Sequence, residues 1–165
     1  MVHAAAPTQR DRGVKRRVRA NGTDTDVTDT IALERTPDGL RVVISRWIDA
    51  PPDRVWDLFT DTTRWPEWGP TVTAVECETR YIEAGSTGRV RTIGGRWLPF
   101  AITRFGDRQW TWRIGQVGAT GHRVRPTESG CRVGFEVPLW AAPYVLVCWV
   151  ALGRIESLAT GEPAR

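Results

Sequence analysis

Hydrophobic and polar residues alternate in a clear pattern that begins at Leu40. The stretch LRVVISRWI has the period of two that is typical of a strand, and its apolar face carries Leu40, Val42, Ile44 and Ile48. Arg46 shares this face and interrupts the apolar row. The next residues, DAPPDRVWDLF, combine early prolines with apolar residues at one-sided helical spacing. The pattern therefore predicts a strand followed directly by a helix.

The segment DTTRWPEWGP, residues 61–70, places two tryptophans between two prolines. Side chains as large as Trp65 and Trp68 indicate a segment that packs against the protein. Asp61 can cap a short helical turn, and the prolines limit the length of that turn. We therefore expect a short packed connector that leads back to a sheet.

Residues 71–139 contain six short alternating runs separated by glycine-bearing turns, which predicts an antiparallel meander. The face that we expect to point inward carries Val75, Cys77, Val90, Thr92, Leu98, Phe100, Ile102, Trp110, Trp112, Ile114, His122, Val124, Val133, Phe135, Val137 and Leu139. The opposite face is rich in arginine and includes Arg123 and Glu136, so we expect it to meet water.

A sheet with one apolar face needs a cover, and residues 142–159 predict a helix for it. One side of this helix would carry Val145, Cys148, Trp149, Leu152 and Ile155. The predicted order is one strand, two short helices, six strands and a long helix. This is an α+β fold with a seven-stranded antiparallel sheet.

The chain has no hydrophobic periodicity in residues 1–38, which we interpret as a disordered basic arm before a domain at 39–160 and a short tail at 161–165. Residues 1–20 carry six Arg or Lys and one acidic residue. The remainder, with 17 basic and 18 acidic residues, is nearly neutral. The arm is either a solvated appendage or a contact for nucleic acid or another anionic surface.

The three cysteines, Cys77, Cys131 and Cys148, form no CxxC pair and resemble buried apolar residues more than a disulfide framework. No apolar segment follows the charged run near the N-terminus, so no signal peptide is expected. The apolar stretch at 143–153 is too short to span a bilayer and is interpreted as a buried helix. Together these features predict a cytoplasmic protein.

Three segments resemble the START/polyketide cyclase/Bet v 1-like superfamily: RWIDAPPDRVWDLFTDTTRWPEWGP, TWRIGQVGATGHRVRP and CRVGFEVPLW before a terminal helix. The resemblance covers residues 40–158. It implies a helix-grip fold, in which a curved sheet and a long C-terminal helix enclose an apolar cavity, with Trp65 and Trp68 beside its mouth. Members of the family bind lipids, sterols, polyketides or other hydrophobic molecules, and some catalyse cyclisation or dehydration.

The inward-facing residues then become candidates for ligand binding: Arg46, Trp56, Val75, Val90, Phe100, Trp110, Trp112, His122, Phe135, Trp149 and Leu152. Arg46 either anchors a ligand carboxylate or phenolate, or is returned to solvent by a bulge. His122 is either a cavity acid, base or hydrogen-bonding group, or a satisfied polar residue at a strand end. The tryptophans can be core, ligand wall or both.

The sequence favours a protein that binds or transports a hydrophobic small molecule without a metal or other cofactor. His122 is the only histidine of the domain, so a site with several histidines cannot form. The first alternative is an enzyme of the cyclase or dehydratase type, in which His122 or Arg46 moves a proton or polarises a carbonyl. The second alternative is an adaptor that uses the basic arm, although nucleic acid is not the expected partner.

Overall fold

The structure, a computed structural model, describes residues 28–162. All eight strands belong to one antiparallel sheet in the order β1-β2-β8-β7-β6-β5-β4-β3. The strands are β1 (Thr30–Thr36), β2 (Gly39–Ile48), β3 (Val72–Cys77), β4 (Thr87–Thr92), β5 (Trp97–Gly106), β6 (Gln109–Ile114), β7 (Val117–Thr127) and β8 (Gly130–Pro138). The helices are α1 (Pro52–Thr60), α2 (Trp65–Trp68) and α3 (Val145–Thr160). Two 3₁₀ segments, Thr62–Arg64 and Leu139–Tyr144, precede α2 and α3.

The predicted helix-grip architecture is confirmed. Register shifts with an extra residue in β3, β5 and β7 interrupt the ladders, and such bulges increase the local twist of a strand. The three helices pack against the same face of the sheet, where they enclose a core rich in aromatic side chains. The helices therefore cover the face that the alternation identifies as apolar.

The prediction of a disordered arm up to residue 38 is wrong for its last part, because residues 30–36 form β1 and pair with β2. The alternating Ile31 and Leu33 lie on an edge strand and stay mostly exposed, so they show no buried pattern. The backbone pairing with β2 holds this strand instead. The sheet consequently has one strand more than the sequence predicted. The rest of the predicted arm, residues 1–27, and residues 163–165 of the predicted tail lie outside the described residues.

The tryptophan connector is packed as predicted. Asp61 is fully buried and accepts a hydrogen bond from the Thr63 backbone N–H, which caps the 3₁₀ turn. Trp65 Nε1 donates to the Phe59 carbonyl at 3.0 Å, and Trp68 Nε1 donates to the Leu58 carbonyl at 2.8 Å. These carbonyls lie in the last turn of α1, where a helix leaves its carbonyls unpaired. The two indoles thus join α2 to α1 while they fill the core.

The outer face of the sheet differs from the prediction, because Arg123 and Glu136 are buried there. The Arg123 guanidinium makes a two-pronged ion pair with Glu34 of β1, with N–O distances of 2.8 and 2.9 Å. Its side chain lies across Gly134, where an added Cβ would approach Arg123 Nε to 3.1 Å. Burial raises the pKa of Glu136, while the nearby Arg123 opposes the shift. The outer face is therefore partly closed by an ionic cluster.

The C-terminal helix buries one side against the sheet and the other helices. Its buried residues are Cys148, Ala151, Leu152, Gly153, Ile155 and Ala159. The helical segment Leu139–Thr160 is long and apolar enough to cross a membrane by those two criteria alone. The core helix of a soluble protein meets the same criteria, so this is weak evidence for a membrane span.

The three cysteines are unpaired. Cys131 and Cys148 are buried, as predicted, whereas Cys77 is only partly buried. Burial raises the pKa of Cys131 to about 11 and that of Cys148 to about 12, so both remain neutral thiols at physiological pH.

Candidate functional site

An apolar opening, here called the outer cavity, lies between the sheet and the segment that leads into α3. Its volume is about 480 Å³, which is within the range of small-molecule sites. None of the described residues that line it carries a charge. The lining residues are Thr71, Val72, Val90, Thr92, Leu98, Trp112, Ile114, Val117, Gly118, Ala119, Thr120, Pro138, Trp140, Ala141 and Tyr144. The outer cavity therefore suits an uncharged, largely apolar molecule.

A second and much smaller space, the inner chamber, lies deeper between α2, α3 and the sheet. Its volume is about 40 Å³, enough for a group the size of a water molecule. Its walls include Trp65, Trp68, Trp110, His122 and Phe135. The chamber is therefore a narrow aromatic recess that contains one titratable imidazole.

The two spaces share five lining residues: Thr71, Val72, Trp112, Thr120 and Tyr144. Two hydrogen bonds order this common wall. The hydroxyls of Thr71 and Tyr144 are 2.7 Å apart, and Trp112 Nε1 donates to the Thr120 hydroxyl at 3.1 Å. Burial raises the pKa of Tyr144, against the opposing effect of the Thr71 hydrogen bond, so the phenol is neutral. The wall shared by the two spaces thus carries several hydrogen-bonding groups but no charge.

His122 is held in an aromatic cage. Its ring stacks on the Trp110 ring with centroids 3.7 Å apart and an interplanar angle of 11°. Phe59, Trp68 and Phe135 approach it edge-on. The residue is only 2% exposed, and this burial lowers the pKa of His122 to about 3, although the Trp110 backbone carbonyl acts in the opposite direction. The imidazole is therefore neutral at physiological pH.

Two buried nitrogens at this site have no hydrogen-bond partner among the described residues, namely His122 Nδ1 and Trp110 Nε1. An unpaired buried polar atom costs roughly 1–3 kcal/mol. Because both residues line the inner chamber, a polar group that entered it could recover part of this cost. The recess is thus chemically suited to a hydroxyl or carbonyl group.

Five of the predicted ligand-binding residues line these two spaces. Val90 and Trp112 line the outer cavity, and Trp110, Trp112, His122 and Phe135 line the inner chamber. Phe100 is buried in the core directly behind them, where its ring packs against Trp65 and Trp112. Val75 and Leu152 also pack into the core and line neither space. The predicted inward orientation therefore identified some of the residues that line the two spaces. It did not distinguish them from residues that are packed in the core.

Arg46 lines neither of these two spaces; together with Trp149 it borders a separate opening of about 490 Å³ that also carries Glu67 and Arg154. The Arg46 guanidinium bonds both carboxylate oxygens of Asp29, at 2.8 and 2.6 Å, and Glu156 of α3 at 3.0 Å. The hydrogen bond to Asp29 is the main reason that the pKa of Arg46 is raised. Arg46 is mostly buried and ties α3 and the segment before β1 to the sheet.

Trp149 and Trp56 are also placed away from the two spaces. Trp149 lies on the outer side of α3, where it is about half exposed and donates from Nε1 to Asp29 at 2.9 Å. Trp56 packs against Phe105 with ring centroids 5.5 Å apart. Helical spacing predicted Trp149 on the buried side of α3. Because both sides of α3 are apolar, the spacing could not show which side faces the core.

The sequence prediction missed the residues between Pro138 and Tyr144, of which Trp140, Ala141 and Tyr144 line the outer cavity. The only signal was an aromatic-rich and proline-containing stretch, LWAAPY, at a strand-to-helix junction. Within residues 28–162, no group of three or more His, Cys, Asp or Glu is arranged to hold a metal ion.

Known structures with the same fold share little sequence with this chain. The crystal structure of CalU16 from Micromonospora echinospora is 19% identical with a TM-score of 0.58, covering 83% of this chain and 86% of that one. DynU16, a protein of the dynemicin biosynthetic locus, is 19% identical with a TM-score of 0.57, covering 74% and 48%. The di-domain ARO/CYC StfQ of the steffimycin biosynthetic pathway is 13% identical with a TM-score of 0.54, covering 72% and 50%.

The comparison with sequence families is more decisive than these structural similarities. No curated protein is significantly similar to this chain in sequence. The family described as "Polyketide cyclase / dehydrase and lipid transport" matches residues 39–147, which is most of the described sheet, both short helices and the start of α3. The chain therefore belongs to the polyketide cyclase/dehydrase and lipid transport family.

Proposed function

We propose that the protein binds an uncharged hydrophobic small molecule in the outer cavity. The observation that carries this proposal is the uncharged, almost wholly apolar lining of an opening of about 480 Å³. Burial of apolar surface would supply most of the binding free energy, and the few hydroxyl groups would orient the ligand. The family description and the structural neighbours from the dynemicin biosynthetic locus and the steffimycin biosynthetic pathway support a ligand of the lipid, polyketide or aromatic type.

The inner chamber supplies the polar contact of this proposal. A ligand hydroxyl could accept from Trp110 Nε1 and donate to His122 Nδ1, because both atoms are buried without a partner among the described residues. Access from the outer cavity would require Trp112 or Tyr144 to move, since these side chains form the common wall. We therefore expect the preferred ligand to be a largely apolar molecule with a hydroxyl at one end.

Catalysis of the cyclase or dehydratase type is the second candidate. His122 is the one imidazole of the described chain, and it lines the chamber that a substrate carbonyl would reach. A group with a pKa of about 3 is, however, a weak base at neutral pH, because general bases work best when their pKa is near the working pH. This property favours binding without turnover over catalysis.

Filling the outer cavity tests the proposal. Ala119 lines it, and Ala119→Trp would place an indole in the space that the ligand needs. Ala32→Trp on the exposed edge strand β1 is the matched control. We would titrate each protein with the neutral fluorophore N-phenyl-1-naphthylamine and expect Ala119→Trp to weaken binding at least about tenfold. Equal affinities for the parent and both variants would place the probe elsewhere and contradict the proposal.

A second measurement separates binding from catalysis and tests the role of the inner chamber. His122→Phe should weaken the binding of 1-naphthol by roughly 1–3 kcal/mol more than the binding of naphthalene. Only 1-naphthol has a hydroxyl that would lose its hydrogen-bond partner. Mass spectrometry of the purified full chain would identify any bound molecule before and after incubation. Recovery of that molecule in unchanged form supports binding, whereas its cyclised or dehydrated product would support the enzyme.

A further inference from the structure

The wall shared by the outer cavity and the inner chamber has one firmly anchored part. Trp112 lies on β6, between β5 and β7 of the sheet, and its Nε1 donates to the buried Thr120 hydroxyl at 3.1 Å. The Trp112 ring also packs, at centroid distances of 5.4–6.1 Å, against the rings of Trp65, Phe100, Trp110 and His122. Displacing Trp112 would break all of these contacts, so this part of the wall is fixed.

Tyr144, in the same wall, is anchored much less firmly. It ends the 3₁₀ segment Leu139–Tyr144, in which no residue is buried, and its own exposure is 36%. The segment contains Pro143, which has no backbone N–H, and Ala141 departs from helical geometry with φ of −107° and ψ of 21°. Segments with few buried contacts open at a low cost in free energy. Tyr144 is therefore the part of the wall that can move.

One hydrogen bond joins the Tyr144 side chain to the rest of the wall. Among the described residues, the Tyr144 hydroxyl bonds only to the Thr71 hydroxyl, at 2.7 Å. Thr71 is the fixed partner, because its backbone carbonyl accepts from the N–H of Ile93, next to β4, at 3.2 Å. We call this hydroxyl pair the latch. It connects a fixed residue to a movable one.

We propose that Tyr144 is the gate between the outer cavity and the inner chamber, and that its hydrogen bond to Thr71 keeps the gate closed. When this bond breaks, Tyr144 turns toward solvent and a ligand hydroxyl can enter the chamber. There it reaches His122 Nδ1 and Trp110 Nε1, which are buried without a partner among the described residues. The inference rests on the proposed function, since it assigns the route by which the polar end of the ligand reaches these two nitrogens.

The size of the effect follows from the strength of one hydrogen bond. A hydrogen bond between neutral groups changes a conformational equilibrium by roughly two- to tenfold, once its competition with water is included. Tyr144→Phe and Thr71→Val each remove one hydroxyl of the latch with little change in side-chain shape. Each variant should therefore raise the population of the open gate by roughly two- to tenfold.

Hydrogen exchange measures the opening of the gate without any ligand. The indole N–H of Trp110 lines the inner chamber and has no acceptor among the described residues, so its exchange with deuterated water requires water to enter the chamber. We would follow this exchange by NMR in the full chain and expect it to be roughly two- to tenfold faster in both latch variants than in the parent. The indole N–H of Trp65, which donates to the Phe59 carbonyl, is the internal control and should exchange at the parent rate.

Thr120→Val is the matched control variant, because it removes the other hydrogen bond of the same wall and leaves the latch intact. It should not change the exchange of the Trp110 N–H, since the Trp112 ring stays packed among its aromatic neighbours. Unchanged exchange in both latch variants would overturn the proposal. Faster exchange in Thr120→Val alone would also overturn it and would assign the gate to Trp112. Equal acceleration of the Trp65 N–H would mean that the latch variants loosen the whole core, which again contradicts a gate.

Ligand kinetics distinguish a gate from a direct contact with the ligand. We would mix 1-naphthol with each protein by stopped flow and record tryptophan fluorescence. Loss of the latch favours the open form of the free and the bound protein alike, so association and dissociation should both become roughly two- to tenfold faster while the Kd stays unchanged. Naphthalene has no hydroxyl to place in the chamber and should keep the parent rates. A weaker Kd for 1-naphthol with unchanged association would make Tyr144 a ligand contact and overturn the gate.

The gate and the proposed function can fail separately. Faster exchange of the Trp110 N–H in both latch variants, with no binding of N-phenyl-1-naphthylamine or 1-naphthol, would support the gate and contradict the proposed function. Binding of the fluorophore in the outer cavity, with unchanged exchange in both latch variants, would support the proposed function and contradict the gate.

Discussion

His122 should make the stability of this protein depend on pH in a range where few other groups titrate. Its pKa is about 3 in the folded protein, because burial disfavours the charged form, against an ordinary value of 6.5. A histidine with a depressed pKa contributes stability that is fully present above pH 6.5. That stability is lost as the pH falls below 6.5 toward 3, because the unfolded chain takes up the proton first.

The size of the effect follows from the two pKa values. Between pH 7.5 and pH 5, the unfolded imidazole becomes protonated while the folded one remains neutral. The difference of about 1.5 units between 6.5 and pH 5, at 1.36 kcal/mol per unit, lowers the free energy of unfolding by about 2 kcal/mol. Since His122 is the only histidine in residues 28–162, no second imidazole of the described domain contributes.

The assay is urea unfolding followed by tryptophan fluorescence at pH 7.5 and pH 5, for the parent and for His122→Phe. Phenylalanine keeps an aromatic ring between Trp110 and Phe135 but cannot titrate. The change in unfolding free energy between the two pH values should be about 2 kcal/mol larger for the parent than for the variant. Carboxylates such as Glu136, whose pKa is raised by burial, are present in both proteins and cancel in this comparison.

An equal pH dependence in the parent and in His122→Phe would refute the reasoning. It would mean that the imidazole has a similar proton affinity in the folded and unfolded chains, and hence that water reaches it. A neutral, caged His122 would then no longer support the proposed hydrogen bond to a ligand hydroxyl. NMR titration of the His122 ring would give the same answer directly.

Three further predictions concern the packing of the fold. Trp65→Ala should lower the free energy of unfolding by roughly 3–5 kcal/mol in urea titrations, because its ring is almost fully buried. Trp97→Ala is the control and should lower the free energy of unfolding clearly less, because Trp97 is exposed. Glu34→Ala should lower the free energy of unfolding by roughly 1–3 kcal/mol, since it removes an ion-pair partner of the buried Arg123 guanidinium on β7. Glu76→Ala, which breaks an exposed ion pair, should cost under about 1 kcal/mol in the same assay. Deletion of residues 1–38 removes β1 and should lower the Tm by at least about 5 °C, and an unchanged Tm would show that this strand adds no stability.

Local sequence determined the order of the elements and the packed connector. The period of two in β2, the early prolines of α1 and the glycine-bearing turns each restrict the backbone directly, so their positions could be predicted. Trp65 and Trp68 could be assigned to the core because side chains of that size between two prolines have few alternatives. The family resemblance then supplied the way in which these elements assemble.

The burial of charged side chains on the outer face of the sheet was decided by the tertiary structure. Arg123 alternates with apolar residues, and this alternation predicts a solvent-exposed side chain. It is buried because Gly134 and Ser45, on the two next strands, leave room for it to lie flat and reach Glu34 on β1. No sequence pattern shows that these small residues are neighbours, since strand order brings them together.

The same reason explains why the candidate site was predicted only in part. Alternation shows which side chains face inward, and this was enough for Trp110, Trp112 and His122. It does not show where the helix lies on the sheet, which decides whether an inward residue meets a cavity, the core or an ion pair. Arg46 faces inward but pairs with Asp29 and Glu156 and lines neither the outer cavity nor the inner chamber, because α3 packs on β2 at that point. The sequence determined which residues face the helices, and the packing of the helices decided which of them border open space.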